Sequence, residues 1–204
     1  MRHVRTLAAA ACGGLFLFAP SGPAAAQLGV EAAVLAELNF ARTHPAEYAR
    51  ELRRSAERGV EVGYSEIGNE DVDALAEAID FLSRQRPLPP LRPSEALAAA
   101  ARAHARTQGR TDQVGHMSPD GETLSERLHE HGVWAGLAAE DISYGYEDPR
   151  EVVRQLIVDS RVPSRGHRQN IFGAHYQEAG VSCAPHRAWG AMCVIDFAGA
   201  VVRR

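Results

Sequence analysis

Apolar residues recur at helical spacing through the first two thirds of the chain. Val34, Leu35, Leu38 and Ala41 predict a helix from about Glu31 to Arg42. His44-Pro45 breaks it, and Pro45 suits the first turn of a second helix through Arg54. Residues 58–69 hold little core material and read as a loop with a short strand at Val60–Val62. A third helix over 71–85 places Leu75, Ile79 and Leu82 inward, and Pro87, Pro89, Pro90 and Pro93 then predict an extended connector. Ser94 is the expected N-cap of an alanine-rich helix to about Gly109, with Leu97, Ala101 and His104 on one face. Ser118-Pro119-Asp120-Gly121 is a turn signal, followed by a helix from Glu122 to His131 that stops at Gly132. Asp148, with Pro149 at the first helical position and Glu151 at the third, opens a helix that turns Val152, Val153, Leu156 and Ile157 inward. From Ile171 onward the pattern is mainly β, with strands at Val181–Cys183 and Met192–Phe197. Helices precede strands with no βαβ alternation, so the expected class is α+β in one domain.

The first 26 residues stand apart. Arg2 and Arg5 precede a mostly apolar run from Leu7 to Ala19, and Ala24-Ala25-Ala26 offers a small-residue cleavage site. This reads as a secretory signal peptide, with a run too short for a membrane span. An interfacial N-terminal helix is the bland alternative. A lipoprotein anchored at Cys12 fits less well, because Ala9 stands where a lipobox prefers a Leu-like residue and the apolar run continues to Phe18. The expected mature chain is residues 27–204, secreted to an extracellular or periplasmic location. Without Arg2 and Arg5 the 22 basic residues become 20 against 26 acidic, a net charge of −6, which does not suggest nucleic-acid binding. All the basic residues are arginine. Cys183 and Cys193 then form an even pair flanking a turn-like segment, so a disulfide across a hairpin is expected, with two buried free thiols as the alternative.

Candidate chemistry concentrates in three short segments. Gly115-His116-Met117-Ser118 and Gly166-His167-Arg168-Gln169-Asn170-Ile171 each place a histidine after a glycine, outside any clean amphipathic stripe. Glu140, in Ala139-Glu140-Asp141-Ile142, has apolar neighbours and needs a partner: an arginine, a histidine or a metal. Asp159 lies at the end of its helix, where an acid opposes the helix dipole; it is either functional or paired with Arg161 or Arg165.

These segments resemble the CAP superfamily (SCP domain: cysteine-rich secretory proteins, antigen 5, pathogenesis-related 1). They occur in the family's order, together with Glu37-Leu38-Asn39-Phe40-Ala41-Arg42, the Pro-Leu-Arg-Pro lead into the alanine-rich helix, Gly180-Val181 and Asp196-Phe197. The likeness covers Glu31 to Arg42 and Pro87 to the C-terminus, and leaves residues 51–86 as a helical insertion longer than most bacterial members carry. The resemblance implies an α-β-α sandwich whose cleft holds two histidines and two acids: His116, His167 and Glu140, with Asp159 nearest to the second acid. Many eukaryotic members have a Glu after a Trp there; this chain has Asp159 three residues after Leu156. The resemblance also implies that the cleft can take a divalent metal such as Zn²⁺ and that other surfaces can take lipids.

The leading functional reading is therefore a non-enzymatic secreted module that binds a lipid, a peptide or an envelope component. The alternative is a metal-assisted hydrolase in which Glu140 acts as base. A nucleophilic Ser118 or Ser164 is a third reading, although Ser118 is better explained as turn chemistry. Neither H-E-x-x-H nor G-x-S-x-G occurs, and Glu130 between His129 and His131 reads as solvated surface. His104 reads as a core histidine bonded to backbone, and Asn39 and Asn170 as structural amides bonded to backbone. Trp134, Tyr144, Tyr146 and Trp189 read as packing residues, with a lipid groove as the alternative.

Overall fold

A computed structural model describes residues 23–57 and 71–202; the leader's residues 1–22 and the expected strand at 60–62 lie outside them. Seven helices and six strands are described: α1 (Pro23–Thr43), α2 (Pro45–Glu57), α3 (Val72–Arg84), β1 (Arg92–Pro93), α4 (Glu95–Gln108), α5 (Leu124–Glu130), β2 (Trp134–Ala135), β3 (Ala138–Tyr144), α6 (Pro149–Val158), α7 (Gly166–Ile171), β4 (Glu178–His186), β5 (Gly190–Ala198) and β6 (Val201–Val202). The main sheet has the order β1-β4-β5-β3, antiparallel except for β1 on β4, and β2 pairs with β6 in a separate ribbon.

Period-two alternation along β4 and β5 builds two cores. Ala179, Val181, Cys183, Cys193, Ile195 and Phe197 face the apolar stripes of α1 and α6, carried by Val34, Leu38, Val153 and Ile157. Met192, Val194, Ala198 and Ile142 face the other way, toward Leu97, Ala100, Ala101 and Ala105 of α4. The result is the expected α-β-α sandwich. The alanines of α4 let it approach the sheet closely. At Gly180 a Cβ atom would lie 2.0 Å from the Ala98 nitrogen and 2.3 Å from the Leu97 carbonyl carbon, so only glycine fits.

Several elements differ from the sequence expectation. Ser94 holds the cap position of α4, but its side chain makes no capping bond, and its N–H donates instead to Ala179 O of β4 at 2.9 Å. The helix expected from Glu122 is shorter and is capped by Thr123, whose side chain and that of Glu126 form a capping box. The inward face of α3 is Ala74, Ala78 and Leu82, while Leu75 and Ile79 are only half-buried beside it. β3 carries no apolar alternation to announce it: Glu140, Asp141 and Ser143 are all buried. Cys183 and Cys193 stand directly opposite in the β4–β5 register and form the disulfide. Asn39 bonds to backbone as expected, pairing with both the N–H and C=O of Leu91 at 2.7 and 3.0 Å, and so fastens the proline-rich connector to α1.

Gly180→Ala should destabilise the protein by about 3 kcal/mol, because the obstructing atoms are helix backbone that cannot rotate away. Urea unfolding checks this, and a loss below about 1 kcal/mol would mean that α4 can shift off the sheet.

Candidate functional site

The His116 half of the site is built by the loop between α4 and α5. Gly115 has φ +105°, a conformation that disfavours any side chain, so a glycine is needed before the histidine. Its N–H donates to the Tyr144 hydroxyl at 2.9 Å, and its carbonyl accepts from Gln108 Nε2 at 2.8 Å and from His104 Nε2 at 3.0 Å. The Tyr144 hydroxyl donates in turn to Gln108 Oε1 at 2.5 Å. His104 is thus a core histidine bonded to backbone. Its Nδ1 accepts from the Ser118 hydroxyl at 3.1 Å, and burial pushes its pKa down, keeping it neutral. Ser118 is buried and also accepts from Arg127 Nη1 at 3.2 Å, while Gly121 N–H donates to its carbonyl. It is a turn residue that lies outside the cavity lining.

Arg127 organises this half. Fully buried on α5, it donates through Nη2 to Glu140 Oε2 at 2.7 Å and to the His116 carbonyl at 3.1 Å. The other Glu140 oxygen accepts from His116 Nδ1 at 2.9 Å. Burial alone would raise the Glu140 carboxyl; the His116 hydrogen bond and the Arg127 charge outweigh it and hold Glu140 below its ordinary range.

The His167 half is local. Asp159 takes a left-handed conformation just after α6, and its carboxylate accepts the His167 N–H at 3.0 Å and bonds Nδ1 at 2.6 Å. The alternative pairing with Arg165 fails at the side chain, since Arg165 Nη1 reaches the Asp159 carbonyl instead, at 2.8 Å. His167 sits in the first turn of α7 and not in a loop, and Gly166 before it has no left-handed φ. Burial would lower the His167 pKa, but the Asp159 bond and the Asp141 and Asp159 charges outweigh it and raise it.

The two halves meet at one cavity of about 350 Å³. His116, His167 and Asp159 line it with Val114, Ile142, Leu156, Val162, Tyr144 and Trp189. Trp134 and Tyr146 lie elsewhere: Trp134 stacks on the exposed His129 at 4.1 Å, and Tyr146 packs against the α1/α6 core. Glu130 is exposed, as expected. Ser164 is exposed and outside the cavity lining.

Of the four sequence-named residues, His116, His167 and Asp159 line this cavity, and Glu140 lies outside the lining, against His116 Nδ1. Each carboxylate lies against the Nδ1 of its histidine. Among the described residues, no three His, Cys, Asp or Glu side chains are placed to hold a metal ion between them. A carboxylate at Nδ1 fixes the tautomer that leaves a lone pair on Nε2.

Sequence reading missed three buried groups. Arg127 follows Leu124 and precedes Leu128 on the inward face of α5, where a charge signals an internal partner. Asp141 points to the other face of β3 from Glu140, and Asn170 of α7 donates to it at 2.7 Å, a side-chain bond where a backbone one was expected. Burial pushes Asp141 up to about 8 even though His167 and Asn170 oppose it. Asp196 stands directly opposite Glu140 in the sheet, with neither side-chain oxygen bonded. Burial first, and then the Glu140 charge, push its carboxyl well above the usual range.

An α-β-α sandwich with paired histidine–carboxylate dyads on one cavity defines the class to which the chain belongs. The model of the Cysteine-rich secretory protein family, CAP, matches residues 35–197, and the chain is a member of that family. An uncharacterized protein of Bacillus subtilis, YkwD, is 30% identical over 94 residues, 46% of this chain and 35% of that protein. The chain thus spans about a third of the length of this relative. Among solved structures, an extracellular SCP-domain protein of Bacillus anthracis aligns at 24% identity and TM-score 0.47, over 55% of this chain and 35% of its own. An outer surface protein of Borrelia burgdorferi aligns at 19% identity and TM-score 0.45, over 57% and 80% respectively. No described helix is long and apolar enough to cross a membrane.

Two outcomes are expected. Arg127→Met should cost about 3–5 kcal/mol in urea unfolding, since it strands a buried carboxylate. The His167–Asp159 pair has the opposite pH sense to an ordinary carboxylate pair. Because the folded His167 pKa is raised, its stabilisation is complete below about pH 6.5 and fades as pH rises through the folded value. The stability lost in Asp159→Asn should therefore be larger at pH 5.5 than at pH 8.5, and equal losses would show that the pair does not titrate as a unit.

Proposed function

We propose that this CAP protein is an exported binding module in which His116 and His167 hold a divalent cation, zinc first among them, on the wall of a mostly apolar cavity. The observation that carries the reading is the matched pair of dyads: both Nδ1 atoms face buried carboxylates, and both imidazoles border the same cavity. Two imidazoles are fewer donors than a structural zinc site uses, so coordination positions remain for a ligand. Glu140 and Asp159 act at the Nδ1 side of the imidazoles, fixing their orientation and raising their basicity. A bound cation supplies a positive centre for one polar group of a ligand, while Val114, Ile142, Leu156 and Trp189 cover its apolar part. A lipid, peptide or envelope component with an apolar portion fits this division. Export is supported by the leader pattern of residues 1–26 and by the hairpin disulfide.

The hydrolase reading asks Glu140 to serve as a base at the cavity. Both Glu140 oxygens already accept N–H donors, and the residue does not line the cavity, so the binding reading has the better support.

Calorimetric zinc titration of residues 27–204 should give one-to-one binding at pH 7.5 that weakens at pH 5.5, because the metal needs neutral imidazoles. His116→Ala and His167→Ala should each abolish it while leaving the circular dichroism spectrum unchanged. Stoichiometric zinc retained by the double variant would end this reading.

A further inference from the structure

The cavity wall that carries His167 is the most strained stretch of backbone described. Asp159, Ser160, Val162 and His167 all line the cavity. Among the described residues, the three non-glycine positions with left-handed φ all fall in this connection between α6 and α7: Asp159 at 56°, Arg161 at 64° and Arg165 at 52°. L-residues avoid that region, so such a stretch persists only where its surroundings over-determine it.

The surroundings here are supplied by α3. The Asp71 N–H, at the cap of α3, donates to Ser160 Oγ at 3.1 Å. One carboxylate, Glu77, bridges two arginines on either side of His167: Oε2 accepts from Arg165 Nε at 3.0 Å, and Oε1 accepts from Arg168 Nη1 at 2.9 Å. Arg168 is buried and also donates to the last carbonyls of α6, Ile157 O at 2.6 Å and Val158 O at 2.9 Å, with its guanidinium over the Phe81 ring of α3. Arg165 folds back to donate to the Asp159 and Val162 carbonyls, which closes the turn that presents Asp159 to His167. No residue of α3 lines the cavity. Among the described residues, these α3 contacts reach the site through this wall, whereas the His116 half is held by α4, α5 and β3.

We propose that α3 is a brace for the His167 wall and that Glu77 is its positioning residue, holding the Arg165–Arg168 span so that His167 stays aimed at the cavity. The role in ligand binding rests on the two-imidazole reading above; the bracing of the wall does not. Occupancy of the cavity is then coupled to the docking of α3, a helix that serves the site without itself lining the cavity.

The test compares residues 27–204 with Glu77→Ala, Glu77→Gln and the control Asp80→Ala, which loses an acid from the same helix but breaks only a pair internal to it, with Arg84. Three readouts are taken: amide hydrogen exchange, the imidazole resonances of both histidines, and zinc affinity. In Glu77→Ala, exchange over 159–172 should quicken at least tenfold while 113–118 and 138–144 keep their rates. The His167 resonances should move while those of His116 stay, and zinc affinity should fall at least fivefold. Glu77→Gln should lie between, and Asp80→Ala should match the unaltered protein. Unchanged exchange over 159–172, or equal acceleration everywhere, would overturn the brace. Accelerated exchange with unmoved His167 resonances would overturn the positioning role. If the unaltered protein binds no zinc while exchange and the His167 resonances respond as expected, the brace stands and the metal reading falls.

Discussion

A carboxylate in the middle of a sheet is tolerable only where a cation reaches it, and the contact between Arg127 and Glu140 is what permits the rest of this site. Glu140 lies on β3 with almost no exposure, facing the α4 layer. Taking such a charge out of water costs several kcal/mol, and a pair repays it only with good geometry and further hydrogen bonds. Arg127 satisfies that condition from α5 and also fixes the His116 carbonyl and the Ser118 hydroxyl. The loop, the short helix and the strand are thereby tied at one point. Across the ladder, burial and then the Glu140 charge push the Asp196 carboxyl up, which disfavours a second negative charge beside Glu140.

The two dyads solve one problem by different means. His116 is the more exposed, at 57% of its side chain, and its orientation comes from a partner on the rigid sheet. His167 is less exposed, at 22%, and its partner lies eight residues away in the same local turn. One half inherits its geometry from tertiary packing, whereas the other is assembled from a backbone conformation that must be held from outside. A site made this way can lose one imidazole's alignment without losing the other's.

How much of this was legible follows from the same physics. Helices with a plain apolar stripe, such as α1, α4 and α6, declare themselves through period and caps. The β4–β5 hairpin does so through alternation around a turn, with the two cysteines meeting across it. His116, His167, Glu140 and Asp159 could be named because short segments around them resemble the family's. Their pairing into two dyads, Glu140 with His116 and Asp159 with His167, was not legible, since spacing along the chain carries no information about which nitrogen meets which oxygen. β3 stayed hidden because its buried positions are polar, and the polarity is compensated by residues distant in sequence: Arg127 for Glu140, Asn170 for Asp141, Gln155 for Ser143. Arg127 itself was the nearest to visible, as a charge set in an apolar face.

The outer edge of β4 carries a different consequence. Beyond the two residues of β1, this strand borders no other strand, and an open edge invites pairing with another chain. From Cys183 to Arg187 the donors on this side are already committed or absent. The Cys183 N–H donates to the Glu31 carboxylate of α1 at 3.1 Å, Pro185 has no N–H to offer, and the Arg187 N–H is held by the Gly109 carbonyl at 2.9 Å. The disulfide sits in the same stretch and fixes its register against β5. Over this stretch the sheet gives a neighbouring strand little to zip onto.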